Sequence, residues 1–180
     1  MADNPFPSFL DFEASSLSDR SYPIEVAWSM EDGSIESHLI SPATILEWDD
    51  WDPEAEKVHR LSRVEIVRNG ERPTWVSARM NERLSGKTVY TDAPAFDGFW
   101  LSRLFTGSGG GEPGFDLANA ENLIVQAIAI CDGIAVRAEA RVRIEAMKLE
   151  ARRRCPGRHR AAWDVQYLVE LWKLAKWSTR

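Results

Sequence analysis

The order of segments along this chain predicts an α/β domain. Three observations carry that reading: an alternating apolar run at Pro7–Ala14, two further strand-like runs joined by Asp32-Gly33, and a C-terminal half built from long helical patterns.

Taken in order, Pro7–Ala14 (Pro-Ser-Phe-Leu-Asp-Phe-Glu-Ala) has the period of a strand, and residues 22–30 form a second candidate. Asp32-Gly33 favours a tight hairpin turn and leads into a third strand at about 35–41. Ser41-Pro42 opens one short helix. Asp52-Pro53-Glu54 opens another, with an N-cap, a proline at the first helical position and an acid in the first turn. Residues 88–93 read as a fourth strand, Phe96–Phe105 as the helix that follows, Phe115–Leu117 as a short strand, and Asn119–Ile130 as helical. Gly107–Gly114 is glycine-rich, but it lacks the Lys-Ser/Thr ending of a phosphate-binding loop and a preceding strand, so it is expected to be a flexible connection.

Residues 134–151 alternate like a strand, yet their Ala/Glu/Arg content and length favour a helix. At 100° per residue, Val136, Ala140, Ile144, Met147 and Ala151 make one apolar stripe, with Arg137, Arg141, Lys148 and Arg152 on an adjacent one. That basic stripe serves equally as a solvated face or as a phosphate-binding surface. The last helix, about 161–177, is expected to bury Trp163, Leu168, Leu171, Trp172 and Ala175.

The 180 residues fit one domain, 1–180, with a long basic helix at about 134–154 inside it. No run approaches the ~20 apolar residues of a membrane span. The N-terminus lacks a secretion signal, and Cys131 and Cys155 form no ligand pattern, so a cytoplasmic protein without membrane association is expected. A net charge of −6 excludes a general polyanion binder. It is unevenly spread, however. Residues 137–160 carry nine basic and three acidic side chains, so this segment is +6 and the rest of the chain −12.

The chemistry begins at Asp11-Phe12-Glu13. On a strand, residues i and i+2 share a face, so both carboxylates project together while Phe12 points away. Such a pair repels itself unless a cation lies between, which makes it a ligand pair for a hard divalent ion. A second Asp-x-Glu, at 52–54, is accounted for by helix capping. Phe96-Asp97 lies where strand gives way to helix. His159 stands just before the last helix, with Asp164 in its first turn. Singly, Asp97 and Asp164 are ordinary helix-dipole acids. As an ordered set they are not.

Asp-x-Glu, Phe-Asp and His-x-Ala-x-x-Asp, in that order over residues 8–172, resemble the three motifs of the DEDDh 3′→5′ exonuclease family. This resemblance implies a ribonuclease-H-like fold, a central mixed five-stranded sheet flanked by helices, forming a single exonuclease domain. It implies hydrolysis of single-stranded DNA or RNA from the 3′ end to nucleoside monophosphates, with two divalent cations, Mg²⁺ or Mn²⁺, as cofactors. Carboxylate-only ligation suits those ions better than zinc. Asp11 would bridge both ions, Glu13 and Asp164 hold the one that activates water, and Asp97 positions the other, directly or through water. His159 would be the general base, since a histidine ordinarily titrates near working pH.

The resemblance also extends to substrate contacts. Ser15, Ser16 and Leu17 correspond to the stretch touching the terminal base and sugar. Val58-His59-Arg60-Leu61 is loosely similar to the His-Gly-Ile segment, with Arg60 in place of glycine, although His59 reads better as a partly exposed helix-end histidine. Arg153, Arg154 and Arg158 are placed to hold the backbone. Ala93 departs from the family's asparagine four residues before the second-motif aspartate. The alternatives are a catalytically silent nucleic-acid-binding module, against which all five motif residues count, and a polymerase-associated proofreading subunit. The short tail after Trp177 favours a stand-alone enzyme. The oligomeric state stays open, a homodimer included.

Overall fold

A computed structural model describes residues 6–131 and 137–177. Five strands, β1 (Ser8–Ala14), β2 (Pro23–Ser29), β3 (Ile35–Leu39), β4 (Thr88–Thr91) and β5 (Asp116–Asn119), form one mixed sheet in the order β3-β2-β1-β4-β5. The β1/β2 and β2/β3 pairs are antiparallel, whereas β1/β4 and β4/β5 are parallel. The turn between β2 and β3 is built on Asp32-Gly33: Gly33 has φ +81°, and the Asp32 side chain accepts from the Ser34 N–H at 2.9 Å.

The β1/β4 ladder is short. It pairs Ser8 with Val89 and Phe9 with Tyr90 and then stops, so the C-terminal half of β1 runs free of β4 while still pairing with β2 as far as Ala14.

Among the described residues, seven α-helices alternate with or follow the strands: α1 (Pro53–His59), α2 (Arg63–Asn69) and α3 (Pro73–Leu84) before β4, α4 (Pro94–Ser108) between β4 and β5, and α5 (Ala120–Cys131), α6 (Arg137–Arg154) and α7 (Ala161–Trp177) after β5. Asp52 caps α1 through its side chain, which accepts from the Glu54 N–H at 2.9 Å. Nothing in the sequence pattern above assigns elements to residues 60–87, where α2 and α3 lie. The glycine-rich run is in part helical, because α4 continues to Ser108 before Gly109 ends it at φ +66°.

The sheet has a hydrophobic cluster on each side. Leu10, Phe12 and Ala14 of β1 join Val76, Met80, Leu84, Leu101 and Leu104 in one; Phe9 joins Ile124, Ile144, Val165 and Leu168 in the other. Strand period therefore puts Asp11 and Glu13 on the face that α7 covers. They lie past the point where that cluster ends, and both are only partly buried. On α6 the expected stripe is buried at Ile144, Met147 and Ala151, while Val136 lies outside the described residues. On α7, Leu168, Leu171 and Ala175 are buried as expected. Trp163 is not: it is 53 % exposed, at the solvent side of the first turn.

Candidate metal centre

The carboxylates predicted from the sequence converge. One oxygen from each of Asp11, Glu13 and Asp164 lies within 4.8 Å of the others, and Asp11, Asp92 and Asp97 form a second such group. The two triads share Asp11. β1 supplies Asp11 and Glu13 at i and i+2, α7 supplies Asp164 from its first turn, and α4 supplies Asp97 from its own. Asp92 is the residue that sequence reasoning missed. It follows β4 directly, at the carboxyl end of a parallel strand and just ahead of a helix-starting proline. That position favours ligand sites in α/β sheets and was the available signal.

The site is electrostatically unsatisfied by itself. Burial, then the neighbouring Asp97, Glu13, Asp164 and Asp92, push the Asp11 carboxyl well above its ordinary range. Glu13 is raised to about 8, by desolvation first and then by Asp164 and Glu25, with Arg160 pulling the other way. Asp97 is raised to about 7, again chiefly by desolvation, against the hydrogen bonds it receives from Thr91 and Phe12. Crowded, desolvated carboxylates of this kind are relieved by a divalent cation. The donor set is carboxylate oxygen only, which suits a hard divalent cation and lacks the nitrogen and sulfur ligands characteristic of zinc sites.

Hydrogen bonds fix the carboxylates in place. Asp97 is buried; one oxygen accepts from the Phe12 N–H at 3.3 Å and the other from the Thr91 hydroxyl. The Thr91 hydroxyl in turn accepts from the Ala93 N–H at 3.0 Å, so a threonine supports the aspartate where the family resemblance led to an asparagine at position 93. Asp164 is held from two sides, by Arg152 Nη1 at 3.1 Å and by the His159 N–H at 2.9 Å. The Arg152 guanidinium lies over the Tyr167 ring, its Cζ 3.6 Å from the centroid. His159 itself is exposed and sits at φ +57°, a left-handed conformation uncommon outside glycine.

Several expected substrate contacts need correction. Ser15 and Ser16 are buried and their hydroxyls are used by the fold: Ser15 Oγ accepts from the Tyr22 N–H at 3.1 Å, and Ser16 Oγ donates to Asp50. Leu17, beside them, is 76 % exposed and remains open. His59 is not a partly exposed helix-end residue. It is buried edge-on against Trp51, Nδ1 accepts from the Leu61 N–H at 3.1 Å, and burial lowers its pKa. Arg60, which stands where the resembling family has glycine, takes the left-handed conformation at φ +61°. Arg153 and Arg154 turn back onto Glu150, at 2.8 Å each, because a carboxylate one helical turn away is their nearest counter-charge. Arg158 is exposed beside His159.

The fold is ribonuclease-H-like, in the form seen in exonuclease I. The chain superposes on the zinc-bound E. coli exonuclease I–single-stranded DNA complex with a TM-score of 0.62 at 14% identity, covering 94% of this chain and 40% of that one. Exonuclease I from Methylocaldum szegediense gives 0.62 at 15% identity, with 91% and 39% covered. The E. coli enzyme bound to a dT13 oligonucleotide gives 0.61 at 14%, with 96% and 41% covered. The chain thus spans about two fifths of the length of these structures. No protein-family model and no curated protein sequence matches it. Among the described residues no helix is long and apolar enough to cross a membrane.

Proposed function

We propose that the protein is a metal-dependent 3′→5′ exonuclease that releases nucleoside monophosphates from single-stranded nucleic acid. The observation that carries this reading is the pair of carboxylate triads hinged on Asp11. Phosphodiester hydrolysis needs an attacking hydroxide and compensation of charge on the phosphate oxygens, and two divalent cations, Mg²⁺ or Mn²⁺, supply both when bound. Asp11 would be common to both ions, Glu13 and Asp164 would complete one ligand set, and Asp92 and Asp97 the other.

His159 is the general base in this reading. Its side chain is exposed and its main-chain N–H bonds the Asp164 carboxylate, which supports a role in which the imidazole would take a proton from the attacking water. Leu17 offers an apolar surface to the terminal base, and Arg158 a cation to the phosphate backbone. Two of the neighbours, both E. coli exonuclease I, hold single-stranded DNA or a dT13 oligonucleotide, which makes single-stranded DNA the first substrate to try.

A second reading has one observation in its favour. Both oxygens of Asp164 already receive hydrogen bonds from the protein, an arrangement that would also suit a silent binding module. Oligonucleotides labelled at either end, as DNA and as RNA, separate the two. With Mg²⁺ or Mn²⁺ the 3′ label should leave first as a mononucleotide, EDTA should stop the reaction, and Asp11→Ala should abolish it. Strand binding without hydrolysis would favour the silent module. Release of the 5′ label first, or internal cutting, would defeat the proposal.

A further inference from the structure

Glu25 lies on β2 directly across from Glu13, its register partner on β1. A charge in the run Ile24-Glu25-Val26-Ala27-Trp28 is out of character for a strand buried at every position. It is kept by a forked pair. Arg160 Nε and Nη2 donate to its two oxygens at 3.0 and 2.8 Å, and the Ala161 N–H adds a third hydrogen bond at 3.1 Å. Arg160 is therefore docked one strand away from a carboxylate of the metal centre, and its positive charge already favours the ionised form of Glu13. Facing side chains on adjacent antiparallel strands stand only about 4.5–5.5 Å apart at Cβ, well within the sweep of an arginine.

We propose that Glu25 is a positioning residue that holds Arg160 off Glu13, keeping that ligand open for a divalent cation. This rests on the metal-centre reading above. The alternative partner for the guanidinium is Glu13 itself, and an arginine paired there would neutralise the charge and occupy the oxygens a cation needs. The same clamp fixes the first residue of α7, so it also sets where His159 and Asp164 begin.

Mn²⁺ binding, followed by calorimetry near neutral pH without nucleic acid, tests the idea through four proteins: the native chain, Glu25→Gln, Arg160→Gln and the double variant. Glu25→Gln keeps an oxygen for the Ala161 N–H but frees Arg160, and it should weaken binding about ten-fold, the effect of roughly one pKa unit of interaction at a ligand. Arg160→Gln should bind no more weakly than the native chain. The double variant should return to near the native affinity, because the competitor is gone. Far-UV circular dichroism shows whether each variant is folded. A misfolded Glu25→Gln leaves the decision to Arg160→Gln, since a merely structural clamp would weaken binding there too. Native affinity in Glu25→Gln, loss of affinity in folded Arg160→Gln, or a double variant no better than Glu25→Gln each overturn the proposal. A native chain that binds no Mn²⁺ overturns the metal centre as well, which distinguishes the two failures.

Discussion

The carboxylate of Asp97 accepts a hydrogen bond from the main-chain N–H of Phe12, the residue between Asp11 and Glu13, across 85 positions of sequence. One side chain thus both offers a ligand oxygen and pins the strand that carries two others. These duties separate by substitution. Asp97→Asn keeps an oxygen for Phe12 and removes the charge, so it should lose activity and metal-induced stabilisation yet be at least as stable as the native chain in EDTA above about pH 7. Asp97→Ala removes the acceptor of both the Phe12 N–H and the Thr91 O–H, and should be less stable than Asp97→Asn by about 1–3 kcal/mol. Urea denaturation measures both; equal stability of the two variants would show that the Phe12 bond contributes nothing.

The metal-free protein should lose stability as pH rises. Glu13 titrates at about 8 in the fold instead of 4.5, and Asp97 at about 7 instead of 3.8. Both shifts are upward, so the unfolded chain gives up these protons first. Between the ordinary and the raised values the native state holds more protons, and rising pH draws the equilibrium toward unfolding. The loss should run from about pH 4 to about pH 8. A divalent cation reverses it by favouring the ionised carboxylates, so the Mn²⁺-induced rise in Tm should be larger near pH 8 than near pH 6, by several degrees. Thermal scans with EDTA and with Mn²⁺ at both values decide this, and a pH-independent rise would contradict it.

Replacing His159 should slow hydrolysis by about 10²–10⁴-fold, the range for loss of a general base, with Mn²⁺ affinity retained. Asn is the better replacement. It tolerates the left-handed backbone at φ +57° more readily than alanine, so His159→Asn should keep native stability while His159→Ala loses some. Native turnover in folded His159→Asn would remove the residue from the chemistry.

Arg60 ends α1 at φ +61°. Glycine takes that conformation without steric penalty, and Arg60→Gly should raise the unfolding free energy by up to about 1 kcal/mol with no change in metal binding. A destabilised Arg60→Gly would mean that the arginine side chain makes a compensating contact.

How much of this was legible in the sequence differs by element. The hairpin at Asp32-Gly33 and the strand bearing Asp11 and Glu13 were legible because period and turn chemistry are local properties. The last helix was predicted at the bounds it has, 161–177, but Trp163 was placed on its buried face. Helical period alone does not say which positions of a turn are covered: Trp163 is exposed in the first turn, although Ala161 of the same turn is buried against Glu25. α2 and α3 were not predicted, although Ser62 and Glu65 have the spacing of a capping box and Val76, Met80 and Leu84 recur every four residues.

In the candidate site, ordered motifs point to Asp11, Glu13, Asp97 and Asp164, whose carboxylates the fold brings together. Asp92 belongs to no motif, and its place among them follows from a sheet order that brings β4 beside β1. The fates of Ser15, Ser16 and His59 depend on burial by segments distant in sequence. Arg153 and Arg154 could have been matched to Glu150 from spacing alone, since one turn of helix separates them.

The early end of the β1/β4 ladder carries a consequence for how this fold can evolve. Had the two strands stayed zipped in register, Asp11 would sit opposite Asp92 and the Phe12 N–H would be drawn into sheet pairing, away from Asp97. The last residue of β1 that pairs with β4 is Phe9, so that pairing ends before Asp11 is reached. Further main-chain pairing there would tighten the sheet, so the protein forgoes cohesion between these two strands where its acids gather.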